Sequence, residues 1–130
     1  MKIAIAGTRG IPNRYGGFEH FASCLSKGLA QNGHEVIVYN PHYHTSTESL
    51  SAGVSVVNIN CPENLLRGAA HFLYDFRCIK DAVRTGVDAL IMCGYGTSAP
   101  GIRLVRRGKM KIITNMDGME WQRGKYNGIT

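Results

Sequence analysis

Short apolar runs alternate with segments of helical period along the whole chain, and this rhythm constrains the fold more than any other feature. Residues 2–6, 35–39, 54–59, 89–92 and 111–114 each read as a strand. Phe18, Phe21, Ala22, Leu25 and Leu29 recur at spacings of three and four, which places them on one helix face, and Asn32-Gly33 ends that helix. Leu66, Ala69, Ala70, Leu73, Phe76, Ile79, Lys80 and Val83 trace a second, longer helix stopped by Gly86, and Pro100 opens a short third one. Residues 40–53 are polar and read as a loop. Apolar strands separated by helices need cover on both faces. The expected class is α/β: a Rossmann-like, doubly wound parallel sheet in three α/β/α layers, with about five strands in the order 3-2-1-4-5 and a single domain over 1–130.

Bulk properties narrow the partners. With 44% hydrophobic and 18% charged residues, the chain is globular rather than disordered or fibrous. No apolar run approaches the ~20 residues that cross a bilayer. The chain opens directly on a strand, so no secretion signal and a cytoplasmic location are expected. Cys24, Cys61, Cys78 and Cys93 are far apart with no Cys-x-x-Cys pair, which reads as reduced, mostly buried thiols. His42 and His44 share a loop, a weak metal signal, and His20 and His71 read as ordinary helix residues, so no metal is expected. The net charge is +6, with a cluster at Arg103, Arg106, Arg107, Lys109 and Lys111. Such a surface is either a solvated basic face or an attractor of anionic lipid or phosphorylated substrates. No aromatic-interleaved basic stripe is present, so nucleic acid is not an expected partner.

In a doubly wound sheet, ligands sit beyond the carboxyl ends of the strands where the order reverses. That point lies between the first and fourth strands, whose following loops, 7–17 and 94–99, are both glycine-rich. The first loop, Gly7-Thr8-Arg9-Gly10-Ile11-Pro12-Asn13-Arg14-Tyr15-Gly16-Gly17, joins a strand to a helix N-terminus, where backbone N–H groups and the helix dipole favour an anion. It is not a dinucleotide fingerprint: the glycine spacing is wrong, and Tyr39-Asn40-Pro41 offers no carboxylate for a ribose. A Walker-type Gly-Lys-Ser/Thr is also absent.

The loop at 7–19, the Gly33-His34-Glu35-Val36 stretch and Asp117-Gly118-Met119-Glu120-Trp121 resemble the N-terminal domain of family-4 retaining glycosyltransferases, in their bacterial rhamnosyltransferase-like group. The likeness spans the whole chain. It implies the N-terminal, acceptor-side half of a GT-B fold, with the donor-binding C-terminal domain absent from this chain. A full-length protein would move a sugar, rhamnose or another hexose, from a nucleotide sugar to a polysaccharide or lipid-linked acceptor with retention. It would work at the inner face of the membrane, and the 130-residue chain alone would be inactive. No cofactor is implied, since the nucleotide sugar is a substrate.

By this resemblance Gly16 and Gly17 approach the donor diphosphate, with Arg9 or Arg14 adding a charge-assisted contact. Glu19 either favours the helix dipole or contacts a sugar hydroxyl. Many family members carry a histidine where this chain reads Asn115-Met116-Asp117. Asp117 is therefore the expected polar group at the reacting sugar, with Glu120 second. Tyr95, Thr97 and Trp121 are expected acceptor contacts, Trp121 alternatively anchoring its loop. The competing class is a stand-alone nucleotide- or phosphate-binding Rossmann-like module without catalysis.

Overall fold

The computed structural model describes residues 1–12, 16–44, 50–66, 69–94, 96–105 and 108–116. Five parallel strands form one sheet in the order β3-β2-β1-β4-β5, with β1 Lys2–Ala6, β2 Glu35–Pro41, β3 Val54–Ile59, β4 Ala89–Cys93 and β5 Lys111–Asn115. The register sets Ala4 opposite both Ile37 and Leu90, so the central strands present matched apolar rows.

Strand alternation sends those rows to two faces. Ile5, Val36 and Val38 point to one side and pack beneath α1, Gly17–Gln31. Ala4, Ala6, Ile37, Tyr39, Leu90 and Met92 point to the other, against α3, Ala69–Thr85, with Ile102 of α4, Ala99–Leu104, at the margin. The sheet is thus covered on both faces, a Rossmann-like three-layer α/β/α arrangement.

The helices differ in detail from their sequence pattern. Over the second expected helix the described residues give α2, Glu63–Leu66, which starts three residues earlier than the pattern, and α3. The buried face of α3 carries Ala70, Tyr74, Asp75, Cys78, Ile79 and Ala82, so it is rotated from the row that starts at Leu66 and leaves Lys80 exposed. Polar side chains occupy that face because each finds a partner; the Tyr74 hydroxyl, for example, donates to the Tyr39 carbonyl at 3.0 Å. In α1, Phe21 sits at the exposed margin, and Ala22 and Ser26 take the tightest positions. β2 runs to Pro41, two residues into the segment read as loop, because it stays paired with β3 as far as Ile59. Cys61, Cys78 and Cys93 are buried free thiols, while Cys24 is exposed on α1.

Candidate functional site

The sheet order reverses between β1 and β4, and an open cleft of about 480 Å³ lies beside their carboxyl ends. Arg9, Gly16, Gly17, Phe18, Glu19, Phe21 and Asn115 line it, so it draws on the loop after β1, the start of α1 and the end of β5. A cleft of about 560 Å³ around Met1, Val87, Asp88 and Lys111 lies at the opposite, amino-end edge, away from the helix N-terminus that attracts anions.

The first part of the loop is held from below. Gly7 has φ +85°, and a Cβ there would lie 2.6 Å from the Cys93 carbonyl oxygen. Gly10 has φ +105°, and a Cβ there would meet the His44 ring at 2.7 Å. Asn40, at the end of β2, clamps Ile11 twice: its Oδ1 accepts the Ile11 N–H at 3.0 Å, and its Nδ2 donates to the Ile11 carbonyl at 2.8 Å. His44 Nε2 donates to the Pro12 carbonyl at 3.0 Å, which leaves Nδ1 facing the Asn40 amide at 3.5 Å. Thr8, Gly10 and Ile11 are consequently buried, and Ile11 joins the core beneath α1. The position where a dinucleotide fold wants a ribose-binding acid is therefore occupied by a residue whose polar atoms hold the loop.

The end of the loop, at Gly16 and Gly17, is exposed. Gly16 precedes α1 with extended backbone, φ 178°, and gives the helix no side-chain cap. The first helical bond runs from the His20 N–H to the Gly16 carbonyl at 3.1 Å, so the N–H groups of residues 17–19 have no acceptor within the helix. A Cβ at Gly17 would meet nothing within 4 Å, and one at Gly16 only the Glu19 carboxylate at 3.8 Å, among the described residues.

Glu19 turns inward. It is 6% exposed, and its Oε1 accepts the Arg9 N–H at 2.7 Å, so it ties the loop to the first turn of α1. Its charge also faces Cys93, whose thiol is pushed up to about 12 by burial first and by Glu19 next. Thr97 reaches the same edge of the sheet, where its hydroxyl donates to Asp75 Oδ2 at 2.5 Å. Burial raises the Asp75 carboxyl from 3.8 to about 6, against the opposing pulls of that hydrogen bond and of His71.

The structure thus brings together Arg9, Gly16, Gly17 and Glu19, and sets Thr97, in the loop after β4, against Asp75 of α3. Arg14, Tyr95, Asp117, Glu120 and Trp121 lie outside the described residues. Asn40 and His44 are the supports that sequence reasoning missed. Asn40 was legible only as a missing acid, and its partner Ile11 is 29 residues away.

Residues 1–129 match the family described as "Domain of unknown function (DUF1972)". No curated protein matches the chain. Among solved structures, a crystal structure of UDP-galactose 4-epimerase is 16% identical, with a TM-score of 0.43 over 74% of this chain and 38% of that one. This chain corresponds to well under half of that protein's length, and so distant a likeness carries no argument about ligand or reaction. The family match instead takes in the clamped loop, the open helix start and every strand of the sheet, and by it the chain belongs to the DUF1972 family.

Proposed function

We propose that this chain is the acceptor-side domain of a retaining, nucleotide-sugar-dependent glycosyltransferase, with Gly16 and Gly17 meeting the donor diphosphate. One observation carries the reading: the glycine pair at the start of α1 borders a cleft and, among the described residues, has space for a ligand where packing asks for no glycine. Three N–H groups without helical acceptors supply hydrogen bonds there. The helix dipole adds about 0.3–1 kcal/mol at an exposed site and up to about 2 kcal/mol when partly buried. Arg9 lines the same cleft and supplies charge, while the Glu19 carboxylate fixes the loop.

In this reading the opposite wall of the site comes from a donor-binding domain of the GT-B type. Retaining transfer asks the protein to stabilise the leaving diphosphate and to hold the acceptor hydroxyl on the same face of the sugar. Asp117 is the proposed contact to the reacting sugar, with Glu120 beside it, and Tyr95, Thr97 and Trp121 line the acceptor. A lipid-linked acceptor fits the +6 charge, and Leu104, 74% exposed beside the exposed Arg103, offers an apolar contact next to a cation. Flotation with liposomes of graded anionic lipid content tests that contact, and indifference to the lipid charge would remove it.

The main test is an NMR titration of the 130-residue chain with nucleoside diphosphates. Weak binding is expected, with amide shifts centred on Gly16, Gly17, Phe18 and Asn115. Shifts centred elsewhere would overturn the placement, and tight binding by the chain alone would favour a stand-alone nucleotide-binding module. In the complete enzyme, normal turnover after Gly16→Val and Gly17→Val would sink the assigned role of the pair.

A further inference from the structure

Beyond β3 the chain gathers three chemically different donors. Cys61 follows the strand, Glu63 opens α2, and His71 lies in the first turn of α3. One donor atom from each, a sulfur, a carboxylate oxygen and an imidazole nitrogen, lies within 4.8 Å of the others. No other group of three such residues meets that condition among the described residues. We propose that Cys61, Glu63 and His71 form a binding site for a thiophilic divalent metal ion of the zinc class, independent of the diphosphate cleft.

The geometry is close to what such an ion needs. Tetrahedral zinc with bonds of about 2.3 Å to sulfur and about 2.0–2.2 Å to nitrogen and oxygen holds its ligand atoms roughly 3.4–3.6 Å apart. His71 Nε2 and Glu63 Oε1 are 3.2 Å apart, so the remaining adjustment is to bring the Cys61 sulfur inward by at most about 1.4 Å. The supports are in place. The Tyr43 hydroxyl donates to Glu63 Oε1 at 2.8 Å and orients the carboxylate. The Cys61 N–H donates to His42 Nδ1 at 3.0 Å and fixes the backbone that carries the sulfur.

Access and charge agree as well. Cys61 is 1% exposed, whereas the side chains of Glu63 and His71 are 43% and 36% exposed, so an ion enters from solvent and meets the sulfur at the bottom. Metal binding forms the metal–thiolate bond at Cys61 and releases the thiol proton to water. Thiolate plus carboxylate then balance a divalent charge, and a sulfur donor selects against magnesium and calcium. Three protein ligands leave a fourth position for water or another donor.

Cobalt(II) is the probe, and the full chain is the sample. The protein also holds an exposed Cys24 with its sulfur 3.7 Å from His20 Nε2, a two-donor contact that must be told apart. The expected result is one cobalt per chain, with tetrahedral visible bands, a near-ultraviolet thiolate-to-cobalt band and displacement by zinc. Cys24→Ser leaves these unchanged, and Cys61→Ser abolishes the thiolate band. His71→Gln and Glu63→Gln, at partly exposed positions that spare the core, each weaken binding at least tenfold. Tyr43→Phe weakens it by about tenfold through loss of the outer partner. No cobalt binding, binding without a thiolate band, a band lost in Cys24→Ser, or full affinity in both His71→Gln and Glu63→Gln would overturn the proposal.

Discussion

Four glycines in one loop play two different parts, and the difference is visible residue by residue. Gly7 and Gly10 are fixed by the fold: each has positive φ and no room for a Cβ against Cys93 or His44. Gly10→Ala should cost about 1–3 kcal/mol, because it combines a left-handed backbone with a clash against a buried ring. Denaturant unfolding measures this, and a cost near zero would mean that the His44 clamp does not hold the loop. Gly17 is the opposite case. As the first residue of α1 with open space around it among the described residues, Gly17→Ala should leave stability unchanged or raise it by up to about 1 kcal/mol. The same change should weaken diphosphate binding by about tenfold, or roughly 1.4 kcal/mol. A substitution that helps the fold and harms binding marks a residue chosen for a ligand; calorimetry on parent and variant decides it.

Among the elements, α3 departs most from its sequence pattern. Its core-facing side carries Asp75 against the loop after β4, bonded to Thr97. In the fold this carboxyl is raised by burial from its ordinary value of 3.8 to about 6. The folded chain therefore holds a proton here, between those two values, that the unfolded chain has already released. The group lowers stability at neutral pH, and its penalty fades as pH falls through 6 toward 4. Asp75→Asn keeps an acceptor for the Thr97 hydroxyl without a buried charge. It should raise stability at pH 7 by up to about 3 kcal/mol, with a smaller gain at pH 5. An equal effect at both pH values would place the pH dependence elsewhere. Element α1 shows the complementary case: its helical period was plain, but Glu19 at the buried edge braces Arg9 in the preceding loop.

For the whole molecule, the proposed diphosphate site follows from where the sheet reverses. Parallel strands bring the β1 loop, the α1 start and Asn115 to one edge, although Gly16 and Asn115 are far apart in sequence. A chain of net charge +6 attracts a diphosphate from a distance, and salt shortens that reach from about 10 Å at 0.1 M to about 3 Å at 1 M. Diphosphate binding should therefore weaken severalfold over that range. Binding unchanged by salt would argue for backbone hydrogen bonds alone.

The amino-acid order alone determined the layer architecture. Apolar runs of strand length separated by helical periods leave few ways to bury both faces of a sheet, and the order β3-β2-β1-β4-β5 is the one this pattern predicts. It also located the anion-favouring helix start, because strand, glycine loop and helix are contiguous. Tertiary structure decided what each polar residue is for. Asn40 with Ile11, Asp75 with Thr97, and Tyr74 with Tyr39 are pairings between distant parts of the chain. Local periodicity reports which face a residue takes but not which distant hydrogen-bond partner meets it there. Gly7 and Gly10 proved to be packed against Cys93 and His44, whereas Gly16 and Gly17 have open Cβ space among the described residues, a division made only in the folded chain.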